Sequence, residues 1–410
     1  MNVKVIGEHK RYETCRFCES KNIETIIDFG NVALAGGFIK SRETPEKFYP
    51  LSLYFCKDCT IVSVRDIVSA EVLFKDYYYS SSASATLREH FREYAERLVG
   101  EVSEASKIDP TILEIGCNDG VLLSQFPSGV KTIGVDPSSV TKKYRGTSNT
   151  LIFNECFSDK LDILEGSVDL ITSSNCMAHI EDMDSIMKGI SKYLKINGIL
   201  VIEVHYLETL IMEMNWDMIY SEHMTYYSVT AMANFLKKYG FNIYNVEKIQ
   251  IHGGSIRVYS SRGEQKRSLE LEEILRNEKK TVCSIDYYKD FYKKIKDNNE
   301  KLRKLLFKLL EEKRRIISYG ASGRANTVMA MYNLTRNELG DIIIDDSPLK
   351  WGMYTPFNHL EIVGSEILAT QRGGKFDYIL LFAWTYKTEI LKKYPQYTGK
   401  IINPIACEIC

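Results

Sequence analysis

Two stretches of the chain share one rhythm: a short apolar run, a turn of small or polar residues, then apolar positions at helical spacing. In the first stretch the run at residues 112–115 breaks at Gly116, Cys117, Asn118, Asp119 and Gly120. In the second, residues 315–319 run into Gly320, Ala321, Ser322, Gly323, Arg324, Ala325, Asn326 and Thr327. Such a run reads as a strand buried on both faces, and the turn that follows as the entry to a helix. Further strands are predicted at residues 131–135, 168–172, 199–204, 241–251, 255–261, 342–344 and 376–382. Helical spacing of Leu87, Phe91, Tyr94, Ala95 and Leu98 predicts a helix over residues 86–102, with others over 183–194 and 229–239. Between the two stretches, Lys and Glu on a helical period with Leu302, Leu305, Leu306, Leu309 and Leu310 predict a long helical connector with a solvated charged face. The expected fold class is α/β, built on a doubly wound sheet.

Bulk properties narrow the options. A chain of 410 residues is too long for one core. With 44% hydrophobic and 26% charged residues and a formal net charge of −1, the balance is that of a globular protein without the basic excess that nucleic-acid binding requires. No apolar run is long enough to span a bilayer, and the first residues carry no signal-peptide pattern, so a cytoplasmic protein without membrane partner is expected. Ten cysteines in a reducing compartment are expected to be free or metal-bound. Cys15 with Cys18, and Cys56 with Cys59, form two C-x-x-C knuckles. Together they can supply the four-sulfur tetrahedron of a structural zinc ion.

Candidate chemistry follows from strand ends. In open α/β sheets ligands lie at the carboxyl ends of strands. Glu114, Gly116, Asn118, Asp119 and Gly120 close the first strand, and Asp136 and Pro137 close the second, where an acid can hold a ribose hydroxyl pair. Acids at this turn would repel a pyrophosphate, so a cationic ligand such as S-adenosylmethionine (SAM) is expected there. Asn175 and His179 should face the same crevice, as should the stretch 216–228, which places Tyr220, Ser221, Glu222 and His223 side by side. An imidazole among acids and phenols is a plausible general base. His252 and Ser255 flank a two-glycine turn that lets backbone approach a ligand. The turn from Gly320 to Thr327, with Arg324 at a helix start, reads as a phosphate site, and Asp345 ends the next strand.

Assembled, these motifs resemble the nucleotide-sugar C-methyltransferases of branched-chain deoxysugar biosynthesis. The resemblance rests on the paired knuckles, the turn from Glu114 to Gly120, and residues 175–180, 219–228, 252–259 and 319–327. It implies a zinc-binding domain (residues 1–72), a class I SAM-dependent methyltransferase domain (73–262), the helical connector (263–314) and a Rossmann-like domain (315–410). The acceptor it implies is a nucleoside-diphosphate (NDP) 4-keto-deoxysugar, methylated at C3. His223 would be the base, Glu222 would orient it or bind a sugar hydroxyl, Tyr220 and Tyr79 would stabilise the enolate, and His179 and Asn175 would line the crevice floor. Asn175, His252, Ser255, Tyr319, Gly320, Ser322, Arg324, Asn326 and Asp345 would contact the acceptor. Two positions depart from the family pattern: Ser221 stands where a histidine is usual, and Arg324 with Ala325 where lysine and glycine are usual. Rival readings are an O-methyltransferase acting on another small molecule and a non-catalytic nucleotide-sugar-binding protein. A monomer is expected.

Overall fold

A computed structural model describes residues 2–73, 85–105, 109–144, 146–368 and 376–410. Tyr79, expected to stabilise an enolate, lies outside the described residues.

The N-terminal part is built on β1 (Val3–Ile6), β2 (His9–Tyr12), β3 (Ile23–Ala33), β4 (Phe48–Cys56), β5 (Val62–Val64) and β6 (Asp66–Val68). One small sheet runs β1-β2-β6, and β3, β4 and β5 form a second. The two cysteine knuckles have the same backbone design. The amide of the residue after each second cysteine donates to the carbonyl of the first: Glu19 to Cys15 at 2.9 Å and Thr60 to Cys56 at 2.8 Å. Both of those residues adopt positive φ, 61° and 64°, which turns the chain back under the thiols.

The middle part carries α1 (Ala85–Ala105), β7 (Thr111–Ile115), β8 (Lys131–Val135), β9 (Thr150–Phe153), β10 (Val168–Ser174), α2 (Met183–Tyr193), β11 (Leu194–His205), β12 (Thr225–Tyr226), α3 (Val229–Lys237), β13 (Asn242–Ile249) and β14 (Ser255–Ser261). Seven of these strands make one sheet in the order β13-β14-β11-β10-β7-β8-β9. The five from β9 to β11 are parallel, and β14 enters antiparallel beside β11. Strand order reverses between β10 and β8 on either side of β7, so a crevice opens beyond the carboxyl ends there. Near-continuous burial along β7, β10 and β11 fits a sheet covered on both faces. The α-helix expected after Gly120 is replaced by a single 3-10 turn, Leu123–Gln125. Pro127 follows directly and disfavours helical backbone at the residue before it.

β12 does not join this sheet. It pairs with β5, Thr225 opposite Ser63 and Tyr226 opposite Val62, so the segment just past His223 extends the N-terminal sheet. The connector folds as α4 (Leu269–Glu278) and α5 (Ile285–Glu311). Leu302, Leu306 and Leu309 are buried, as their spacing requires. Glu278 reaches back to α3, where its carboxylate accepts the amides of Val229 at 2.7 Å and Thr230 at 2.6 Å. A carboxylate suits the positive end of a helix.

The last sheet runs β17 (Glu361–Val363), β16 (Ile342–Ile344), β15 (Ile316–Tyr319), β18 (Tyr378–Leu381), β19 (Ile401–Asn403), β20 (Glu408–Ile409), all parallel but β20. α6 (Gly323–Met331) leaves the end of β15. One apolar core joins Leu53 and Val62 of the first sheet, Trp216 and Met218 of the site segment, Leu306 of α5, and Ala325 and Met329 of α6. Among the described residues no helix is long and apolar enough to cross a membrane.

Candidate active site where three modules meet

The glycine turn after β7 is shaped by its neighbours. Gly116 has φ 80°, and a Cβ there would lie 2.6 Å from the Cys176 side chain; at Gly120, φ 74°, a Cβ would meet the Tyr144 ring at 2.4 Å. Between them Asn118, φ 49°, donates its amide to Asp136 Oδ2 at 3.0 Å, while Asp136 Oδ1 accepts from the Ser138 amide at 2.8 Å. The ends of β7 and β8 are thereby tied together. Asn154 Nδ2 braces the same corner through the carbonyls of Asp136 and Ser138, both at 2.8 Å. Glu114 is 3% exposed, and burial, with Asp136, Asp119 and Glu203 adding to it, holds its carboxyl well above the usual carboxylate range. Its Oε2 has no hydrogen-bond partner among the described residues. Asn175, φ 53°, follows the end of β10, and its Oδ1 likewise has none. Beneath it, the buried Glu203 accepts from Ser174, His90 and Arg257, which fixes the strand end.

Beyond these acids lies a cluster of histidines. His179 and His223 have ring centroids 5.0 Å apart, His205 and His223 5.1 Å, and His205 and His252 5.5 Å. His223 is 4% exposed and its tautomer is set by its partners. Nδ1–H must donate to the Met218 carbonyl at 2.9 Å, since a carbonyl can only accept. Nε2 is then left with its lone pair, which receives the Tyr220 hydroxyl at 2.9 Å. The Tyr220 ring lies alongside, with its centroid 4.1 Å away. His179 Nδ1–H donates to the Glu222 carbonyl at 2.8 Å. Burial first, then nearby imidazoles, holds His223 and His205 well below 6.5, and burial lowers His179 and His252 as well. Glu222 does not face the imidazole it was expected to orient. Its Oε1 accepts the Gly36 amide of the N-terminal part at 3.3 Å, and burial raises its carboxyl above 4.5. Ser221 is buried beside it, and the Ser255 hydroxyl donates to the Ile251 carbonyl at 3.3 Å.

The turn from Gly320 to Thr327 points inward. Arg324 makes a two-pronged ion pair with Asp217 at 2.8 and 2.9 Å, and Trp384 Nε1 donates to the same carboxylate at 3.2 Å. Asn326 Nδ2 donates to the Ala35 carbonyl at 2.7 Å. Ser322 caps α6 by accepting the Ala325 amide at 3.2 Å. Gly320, φ 98°, leaves no room for a Cβ against Ala383. Tyr319 donates to Asp346 at 2.8 Å, and Asp345 pairs with Lys350 at 2.8 Å. Tyr220, Glu222, His223, His179 and His252 thus gather at one place, whereas on this turn Arg324 and Asn326 reach across to other parts of the chain, Ser322 caps α6, and Tyr319 and Asp345 pair within the C-terminal part.

Three family models match consecutive parts of the chain: a proposed zinc binding domain over residues 15–74, a methyltransferase domain over 87–246, and a C-methyltransferase C-terminal domain over 250–406. A curated relative, the C-methyltransferase NovU of Streptomyces niveus, is 25% identical over 409 residues, spanning 96% of this chain and 95% of its own length. The chain belongs to the SAM-dependent C-methyltransferases. Among solved structures, a SAM-dependent methyltransferase from Aquifex aeolicus matches at 14% identity, covering 40% of this chain and 88% of that one with a TM-score of 0.31. The YcgJ protein of Bacillus subtilis matches at 14% identity, covering 42% and 99%, with a TM-score of 0.33.

The methyltransferase has residues that fit its two cofactors. For SAM, the buried and unpartnered oxygens of Glu114 and Asn175 are acceptors at the sheet's crevice, matched to a ligand rich in donors and positive charge. For zinc, the Sγ atoms of Cys15, Cys18, Cys56 and Cys59 all lie within 4.8 Å of one another. Cys15 and Cys59 are 3.6 Å apart, and Cys18 and Cys56 3.5 Å. A tetrahedron with Zn–S bonds of about 2.3 Å has edges of roughly 3.8 Å. A closed sulfur shell offers no coordination position to a substrate, so this metal is structural. Sequence reasoning passed over His205, Asp217 and Gly36. His205 carried the one usable signal, since it ends β11 as Asn175 follows the end of β10.

Proposed function

We propose that the methyltransferase deprotonates the carbon beside the ketone of an NDP-4-keto-deoxysugar, at C3, and methylates it in a branched-chain deoxysugar pathway. The observation that carries this reading is the Met218 carbonyl, His223 and Tyr220 array. A carbon acid needs a base, and His223 is a neutral imidazole whose Nε2 lone pair points at a phenol rather than at a charged group. The Tyr220 hydroxyl passes from Nε2 to the ketone oxygen, the freed Nε2 takes the C3 proton, the C–H electrons move to the ketone oxygen, and the resulting enolate is stabilised by the Tyr220 hydrogen bond. The imidazolium formed is stabilised through Nδ1–H by the Met218 carbonyl. When bound at the sheet's crevice, SAM supplies the electrophilic methyl group. Glu114, Asn118, Asp136 and Asn175 hold the donor, and the Glu222 carboxyl, raised by burial, is a candidate donor to a sugar hydroxyl. His179, His252 and Ser255 line the acceptor side. The turn bearing Tyr319, Ser322 and Asp345 is proposed to bind the nucleotide, with Arg324 and Asn326 shaping it from behind.

The test is isotope exchange. With S-adenosylhomocysteine present in heavy water, the wild-type protein should exchange the acceptor's C3 proton. His223→Asn should abolish both exchange and methyl transfer while SAM still binds. Wild-type exchange in that variant would place the base elsewhere, and retention of deuterium at C3 through turnover would favour methylation at oxygen.

A further inference from the structure

Arg16 stands between the two cysteines of the first knuckle and is 6% exposed. A buried guanidinium has five N–H donors to satisfy and cannot shed its charge. Arg16 satisfies its Nη donors mainly on the two loops of the candidate site and its Nε–H on Ser63 of β5. Nη1–H donates to the carbonyls of Glu181 at 2.8 Å and Ile180 at 3.4 Å, just past His179. Nη2–H donates to the Met224 carbonyl at 3.1 Å and Thr225 Oγ1 at 2.7 Å, just past His223. Nε and Nη2 also hold Ser63 Oγ, at 3.2 and 2.9 Å, and that hydroxyl donates to the Met224 carbonyl at 2.6 Å. The loops are tied directly by the Met224 amide, which donates to the Ala178 carbonyl at 2.8 Å. The base of the side chain is fixed by the knuckle, where Phe17 N donates to Cys15 Sγ at 3.4 Å and Arg16 N to the Tyr54 hydroxyl at 3.1 Å.

We infer that Arg16 is a positioning residue for methyl transfer: anchored in the zinc knuckle, its guanidinium sets the spacing between the His179 and His223 loops. The inference rests on the base assignment proposed above. It gives the metal module a task beyond its own folding, because the rigid knuckle becomes the fixed point from which both loops are hung. None of the Arg16 hydrogen bonds reaches the turn from Glu114 to Gly120, so donor binding is independent of it. The fork geometry matters as well as the charge. A lysine has three donors on a single nitrogen and cannot span acceptors on two loops.

The test uses the full zinc-loaded chain with Arg16→Lys and Arg16→Ala, and with Lys238→Ala as a control. Lys238 Nζ ties the same knuckle through the Phe17 carbonyl at 2.5 Å but reaches neither loop. Both Arg16 variants should lose roughly 100-fold in kcat, the scale of a displacement of about 1 Å at a reacting centre. SAM affinity and zinc content should stay at wild-type values, and methylguanidinium should restore part of the Arg16→Ala rate. Hydrogen exchange should speed up in residues 176–182 and 218–226 and stay unchanged in 111–120. Lys238→Ala should keep its rate. Wild-type kcat and protection in Arg16→Lys would overturn the inference, as would loss of zinc or SAM binding together with activity. If the wild-type protein turns over no keto-sugar, the acceptor reading fails, and the segment-specific exchange still decides whether Arg16 sets the loops.

Discussion

A buried imidazole resists protonation because it loses its water and because other potential cations stand near it, and His223 is subject to both. Burial is the larger cause and His179 comes next. The neutral, proton-accepting form therefore persists well below pH 6.5, and the acid limb of kcat is expected below that value. His179→Asn removes one potential cation, so His223 should titrate closer to 6.5 and the acid limb should move to higher pH. A pH–rate profile checks this, and an unmoved limb would mean that some other group sets it. The same depression acts on stability. Unfolded imidazoles take up protons as pH falls through 6.5 while the folded ones do not, so the stability tied to the four histidines is full above pH 6.5 and is lost on acidification. At this scale the sequence was informative about residue type and not about direction. The pairing of Glu222 with His223 suggested a base and its orienting acid, yet adjacent side chains in an irregular segment need not converge. Glu222 turns to Gly36, and the orienting group is a backbone carbonyl, which no residue code displays.

Elements with local causes were legible, and those made by distant pairing were not. The run at residues 112–115 and its glycine turn are local signals, and β7 and its tight exit follow from them. The two knuckles are local too, because a C-x-x-C turn closes on its own carbonyls. β12, with two residues, carries no periodicity to read. It exists because β5, far earlier in the chain, offers a free edge on which Thr225 lies opposite Ser63. The missing helix after Gly120 shows the converse, in which a helical pattern is overridden by a nearby proline. Because β12 continues the zinc module's sheet directly from the His223 loop, metal removal is expected to reach the site. Purified protein should contain about one zinc ion per chain. A strong chelator, or Cys15→Ser, should lower the unfolding temperature and abolish methyl transfer, since structural zinc contributes folding free energy of roughly 10 kcal/mol or more in small domains. Metal analysis with thermal unfolding checks this, and a metal-free chain that stays folded and active would refute the four-cysteine assignment.

The whole molecule is held together at its site. Arg324 was expected to meet a phosphate because small residues and one arginine at a helix start form a familiar local pattern. Its partner lies 107 positions earlier, and nothing in the local sequence points to it. Asp217 is 1% exposed and carries two Arg324 contacts and the Trp384 indole N–H, with the Arg324 guanidinium 5.4 Å from the Trp384 ring centroid. The pair clamps α6 onto the segment that leads to His223, so its loss should register in both stability and catalysis. Buried ion pairs add little net stability, but removing one partner strands a charge, at a cost of about 3–5 kcal/mol. Arg324→Met alone should therefore destabilise the chain by that order. Asp217→Asn alone should cost less, because a neutral amide can still accept from Trp384. In the double variant no stranded carboxylate remains, and most of the loss should return, giving a coupling energy of about 2 kcal/mol or more in a urea-unfolding cycle. Strictly additive losses would mean that Arg324 acts independently of Asp217, and the arginine would again be open to a nucleotide phosphate.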